Sequence, residues 1–417
     1  MRRFIRVLPL AVLSATLIGA SVYFATSAKA SSENKPPIVA MGYDHSFVAG
    51  SDGKLYASGF NEYGQLGLGD KTDRNVFTPV AALEGKKIVE IATSITHSLA
   101  LDANGKVYAT GANGGGQLGL GDNDNRVAFT LVTSLEGKKI VAVAAGESIE
   151  AGRPYSLALD ELGRLYATGE NDFGQLGFGD DKFRNNFELV SSLEGKKIVA
   201  ISAGGDYSLA LSHEGKLYAT GSNEFGQLGL GDYDRRVAFT LAKSLEGKKI
   251  VAIAAGGAHS LALDNEGKLY ATGWNDSGQL GFGGANGRNV WRLVSALRDK
   301  NIIAIATGEL FSLALGDDGK IYAMGDDYDG KLYVMGDNYG AQPKIDDKER
   351  RQGFAVLSLE GKKIVAMAAW YGNFAPCFLA LTSDGKIYAA GYNRRGQLGL
   401  GDNARRAVFT PVPLPNR

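Results

Sequence analysis

The chain has 417 residues with 45 Lys and Arg against 45 Asp and Glu, a balance that excludes the strongly basic surface of a nucleic-acid binder. A hydrophobic content of 44% with 22% charged residues excludes a disordered chain, and a single cysteine excludes an intramolecular disulfide. The 57 glycines, about twice the usual share, point to a fold rich in turns.

In chain order, the first segment is a targeting signal. Arg2, Arg3 and Arg6 form a basic start, Val7 to Ala25 is a stretch of low polarity, and Ala28-Lys29-Ala30 is an A-x-A cleavage site. Residues 1–30 therefore read as a secretory signal peptide and residues 31–37 as a polar linker. The apolar run is also long enough to span a bilayer, which leaves an uncleaved membrane anchor as the alternative. Cleavage after Ala30 leaves 41 bases against 45 acids, a net charge of −4. The expected product is periplasmic or secreted, monomeric, without a nucleic-acid partner and without stable membrane insertion.

From residue 38 onward one phrase recurs. Gly-Lys-Leu-Tyr-Ala-Thr-Gly or a near variant places its tyrosine at Tyr56, Tyr108, Tyr166, Tyr218, Tyr270, Tyr322 and Tyr388, with gaps of 52, 58, 52, 52, 52 and 66 residues. A period of this size marks units that bury their apolar faces only against one another. In the uninterrupted copy, residues 248–296, Ile250 to Ala255 and His259 to Leu263 have strand length and apolar character. Asp264-Asn-Glu-Gly267 then reverses the chain into Lys268 to Thr272, with Gly267 where the turn needs positive φ. A glycine-rich loop, Gly273 to Gly287, leads to a weaker strand around Val290 to Val294. Four strands per copy, seven copies and no helical periodicity predict an all-β fold, a seven-bladed β-propeller of four-stranded antiparallel blades over residues 38–414.

Antiparallel blades put the loop after the first strand and the long loop after the third on one face. The hairpin turns and the Glu-Gly-Lys-Lys linkers, beginning at Glu84, Glu136, Glu194, Glu246 and Glu360, share the other. The irregularities gather on the first face: six extra residues between Ala145 and Tyr155 in the third copy, and a long insertion from Asp337 to Gly353 in the sixth.

The run G-x-N-x-x-G-Q-L-G-[LF]-G-D recurs with its glutamine at Gln65, Gln117, Gln175, Gln227 and Gln397, and at Gln279 with Gly284 in place of the aspartate. Together with H-S-L-A-L and G-K-K-I-V-A-I, it resembles the regulator of chromosome condensation repeat family, whose members form seven-bladed propellers. The resemblance covers about residues 38–414. Two departures mark a divergent, exported bacterial-type member. The slot that usually holds tryptophan contains Ser58, Thr110, Thr168, Thr220, Thr272, Met324 and Ala390, and Gly330 to Asp337 replaces the glutamine phrase of the sixth copy. The exchange-factor surface of the eukaryotic prototype therefore does not transfer by matching residues.

Chemical motifs give way to the repeat. His45, His97 and His259 share a slot with Tyr155, Tyr207, Phe311 and Cys377, which favours packing and hydrogen bonding over metal ligation, and a packed thiol at Cys377. Ser51-Asp-Gly-Lys54 and Ser383-Asp-Gly-Lys386 are hairpin turns rather than nucleophile motifs. Asp122 to Asn125 lacks the glycine and distal glutamate of a calcium loop. No catalytic residue, metal ligand or cofactor is assigned, and the chain reads as a non-enzyme.

Loops on a rigid scaffold are where recognition concentrates. The leading expectation is an exported scaffold that binds a protein partner through the irregular face, with Glu147, Arg153, Tyr339, Arg350 and Arg351 as contact residues. The resemblance implies the same class of function, because its relatives include an exchange factor for a nuclear GTPase, a plant ultraviolet receptor and secreted inhibitors of β-lactamases. Alternatives are guanine-nucleotide exchange on a GTPase, and carbohydrate binding or hydrolysis in the central funnel.

Overall fold

The computed structural model describes residues 17–18, 38–50, 54–148, 152–282, 284–325, 355–357, 359, 362–372 and 375–414. Within them the chain forms a seven-bladed propeller, each blade built from four consecutive antiparallel strands. The fifth blade shows the pattern: Ile250–Ala255, His259–Asp264, Leu269–Gly273 and Arg288–Leu293, in that order from axis to rim. First strands pack against one another around the axis, so they are apolar on both faces. Outer strands present one buried aromatic to the next layer, Trp291 in this blade. The fourth blade carries in addition a two-residue parallel strand, Leu17–Ile18, beside Ile198–Ala203. The remainder of the expected signal peptide, the linker and its cleavage point before Ser31 lie outside the described residues, as does all of the sixth-copy insertion.

The local signals form as expected. Asp264 accepts hydrogen bonds from the backbone of Glu266 and Lys268, and Gly267 sits at φ +74°, which closes the hairpin. The linkers differ from the reading as plain connections. Each of Ala81–Leu83, Thr133–Leu135, Ser191–Leu193, Lys243–Leu245 and Ser295–Leu297 is a single 3-10 turn that buries its leucine. One turn is too short to leave a helical period in the sequence.

The glutamine phrase is a latch between blades. Its asparagine organises the loop: Asn223 Oδ1 accepts the Leu228 N–H and Nδ2 donates to the Asp232 carbonyl. Its apex then forms a bridge to the outer strand of the following blade, as in Leu68 with Ala128, Phe178 with Ala238 and Leu230 with Val290. The glycine after Gln-Leu is required by this contact. A Cβ on Gly67, at φ +67°, would stand 2.4 Å from the Phe129 ring.

Hydroxyls complete each interface. Ser98 donates to the Gln65 carbonyl, Ser208 to that of Gln175 and Ser260 to that of Gln227. The threonines that stand in the family's tryptophan slot do likewise, Thr110 to Gly64 and Thr220 to Gly174. The same bonds close the ring, since Ser46 donates to Gln397, Ser58 to Gly396, and Leu400 bridges Val76. Closure is thus between whole neighbouring blades, a point the sequence frame left open.

Candidate functional site: a funnel on the loop face

The slot shared by histidine, tyrosine and phenylalanine points into the blade interfaces. Nε2 of His45, His97 and His259 lies 2.8–3.0 Å from the serine hydroxyl of the next blade, Ser98, Ser156 and Ser312. Because Ser98 and Ser156 already donate to glutamine carbonyls, the histidine must be the Nε2 donor, leaving Nδ1 as an acceptor. Burial pushes all three imidazoles down to about 3. Tyr155 and Tyr207 fill the same slot, with their hydroxyls on the carbonyls of Tyr207 and His259, and Cys377 is buried beside the Trp370 carbonyl. The histidines and tyrosines of this slot staple blades together, while the Cys377 contact stays within blade seven. Among the described residues no group of three or more His, Cys, Asp or Glu is placed to hold a metal ion.

On the face of the irregular loops, blades two to seven surround a cavity of about 300 Å³. The Gly204-Gly205 and Gly256-Gly257 loops line it. Its wall carries Phe173, Phe225 and Trp274 from three successive blades, together with Asp206, Glu224 and Glu309. Phe225 is 45% exposed, and its ring lies 5.5 Å from that of Trp274 at an interplanar angle of 33°. Trp370 also lines the cavity, and its indole N–H is buried without an acceptor among the described residues. Phe225 and Glu224 occupy the two positions between asparagine and glycine in the N-x-x-G phrase. That pair differs from copy to copy while the flanking residues repeat, a signal visible in the sequence but not used.

Two of the expected contact residues line this cavity, Glu147 and Arg153; Tyr339, Arg350 and Arg351 lie outside the described residues. Arg153 packs its guanidinium 4.6 Å from the Phe173 ring centroid and pairs with Asp172 at 3.0 Å. Glu147 reaches across to blade two, where its carboxyl meets the Ser94 hydroxyl and the backbone N–H groups of Ile95 and Thr96. Burial pushes the carboxyl up to about 7 against the pull of those donors. Ser94 Oγ lies 2.7 Å from His97 Nδ1 and 2.9 Å from Glu147 Oε2, and it accepts the backbone N–H groups of Thr96 and His97. Glu170 is likewise raised, first by burial and then by Asp172.

The opposite face is regular. Lys86, Lys138, Lys196, Lys248, Lys300 and Lys362 each lie 5.3–6.0 Å from the tyrosine ring of the following copy. The lysine ring foreseen in the linkers is therefore a repeated packing element.

Comparison with known families settles the ancestry of this scaffold. The family model of the RCC1-like domain matches residues 147–417, and that of the regulator of chromosome condensation (RCC1) repeat matches residues 52–101 and 104–151. The chain belongs to the RCC1-like domain family. It is 30% identical over 370 residues to the ultraviolet-B receptor UVR8 of Arabidopsis thaliana, covering 88% of this chain and 80% of the receptor. It is 32% identical over 370 residues to the human E3 ubiquitin-protein ligase HERC2, which covers 88% of this chain and only 7% of the ligase. Among solved structures, the RCC1-like propeller superposes on yeast RCC1 (Prp20), determined bound to Kap60, with a TM-score of 0.71, 21% identity and coverage of 99% and 91%. Human WBSCR16 gives a TM-score of 0.71 at 20% identity, covering 87% and 94%. Both structural likenesses concern the fold.

Proposed function

We propose that this chain is an exported, non-enzymatic propeller that binds a protein partner through the face bearing the funnel. The observation that carries the reading is the asymmetry of the two faces. One repeats the same lysine-on-tyrosine contact from blade to blade, while the other gathers the insertions and an exposed aromatic wall edged with carboxylates. Exposed aromatics in a concave, partly dry setting are the usual anchors of protein recognition. Relatives agree in kind: yeast Prp20 was crystallised with Kap60 and studied for binding to Gsp1p and histones, and the plant relative is a receptor. Export rests on the N-terminal sequence of residues 1–30.

The test uses the chain from Ser31 as bait in native extract, then measures the affinity of any captured protein for variants of each face. Shortening the loop between Glu147 and Arg153, with both end residues kept, should weaken binding at unchanged fold. Loss of affinity from the lysine face alone would refute the assignment.

A hydrolytic reading has one observation in its favour, the Ser94 hydroxyl 2.7 Å from His97 Nδ1 at the cavity edge. Burial that holds His97 down at about 3 makes it a poor general base, so binding is preferred. Labelling of Ser94 by a fluorophosphonate would reverse that order.

A further inference from the structure

Blades three and four carry the same loop 52 residues apart, Asn171-Asp172-Phe173-Gly174 and Asn223-Glu224-Phe225-Gly226. Blade three completes its loop with an arginine of its own. The Arg153 guanidinium lies over Phe173 at 4.6 Å and bonds Asp172 at 3.0 Å. Arg153 stands two residues before Tyr155; two residues before the equivalent Tyr207 the chain has Gly205. Blade four thus presents the ring and the carboxylate without the arginine. Gly205 has no room to supply a side chain, because a Cβ there would come 2.9 Å from the Gly257 carbonyl oxygen.

The vacancy has consequences for exposure. Phe173 is half-buried under Arg153, whereas Phe225 and Glu224 are exposed and the Trp274 ring flanks Phe225 at 5.5 Å. The wall around Phe225 also favours a cation, since Asp206, Glu224 and Glu309 line the cavity and Arg153 is already paired with Asp172.

We propose that the funnel takes one arginine side chain of a protein partner, stacked on Phe225 and Trp274 and paired with Glu224, in the place that Arg153 occupies in blade three. A planar guanidinium both stacks on an aromatic face and forks to a carboxylate, which an ammonium group does not. The inference rests on the protein-binding reading of this face and specifies the chemistry of the partner.

The test titrates the chain from Ser31 with acetylated, amidated Gly-Arg-Gly, followed by indole fluorescence and calorimetry. Its lysine and citrulline counterparts and a panel of neutral glycans serve as competitors. Saturable arginine binding is expected, with roughly tenfold loss in Phe225→Ala or Glu224→Gln and no response to citrulline. Both side chains are exposed, and an unchanged urea midpoint confirms the fold of each variant. Arg153→Ala should uncover Phe173 and Asp172 and raise the stoichiometry toward two. Equal binding of arginine and citrulline, indifference to Phe225→Ala, or saturation by a glycan in place of the peptide would overturn the proposal. A captured partner that loses affinity on loop trimming but not in Phe225→Ala sinks the arginine slot alone. A partner indifferent to both, with peptide binding intact, sinks the protein-binding reading and keeps the slot.

Discussion

Ser46→Ala tests whether the ring is closed as firmly at its seam as elsewhere. The Ser46 hydroxyl is fully buried and donates to the Gln397 carbonyl at 2.5 Å, joining blade one to blade seven across 351 positions of sequence. Its counterpart inside the ring is Ser208, which donates to Gln175 at 2.7 Å. A net hydrogen bond contributes about 1 kcal/mol, and the carbonyl left behind in a dry interface adds a desolvation cost, so about 2 kcal/mol is expected from either substitution. In a closed ring that unfolds cooperatively, the two should match, because breaking any interface then breaks the whole. Urea unfolding followed by tyrosine and tryptophan emission measures both losses. A cost near zero for Ser46→Ala beside about 2 kcal/mol for Ser208→Ala would mean that the seam opens before global unfolding. Equal costs would support closure by whole blades.

Acid should destabilise the protein through its buried imidazoles. Their folded values near 3 lie below the ordinary 6.5, so the unfolded state binds protons first and stability is lost as pH falls from about 6.5 toward 3. His97→Phe, which copies the Phe311 slot, should flatten that fall in urea titrations across pH. Glu147 acts in the opposite sense: its folded value of about 7 exceeds the ordinary 4.5, so ionisation between these values costs stability. Glu147→Gln should therefore exceed the parent in stability at pH 8 and equal it near pH 4.5, and a variant weaker at pH 8 would refute the raised carboxyl at Glu147. Neutralising Lys86, Lys138, Lys196 and Lys248 should leave partner affinity unchanged and lower the urea midpoint only slightly, through loss of the exposed tyrosine contacts. N-terminal sequencing of exported protein should begin at Ser31; an intact Met1 on membrane-bound material would favour an anchor.

Fold and face were legible because the repeat exposes its own rules. Turn glycines such as Gly267 and the paired apolar strands act within a few residues, and their effect survives in the sequence. The site was only half legible. Glu147 and Arg153 were found by their place on an insertion, yet both face inward, one stapling blade two and the other covering Phe173. Phe225 and Trp274 were passed over, since each sits at a variable position inside a repeated phrase and meets its neighbour only across a blade interface.

The sequence by itself determined the number of blades, the order of strands within each and the face that gathers the insertions, because period, alternation and turn chemistry are local properties of the chain. The tertiary structure alone decided that blade seven latches onto blade one, that the lysines are held by tyrosines, and that Phe225 lacks the arginine Phe173 possesses. The seam joins residues 351 positions apart, and the other two contacts depend on how strands and loops about 20 residues apart are turned toward one another, which sequence spacing does not record.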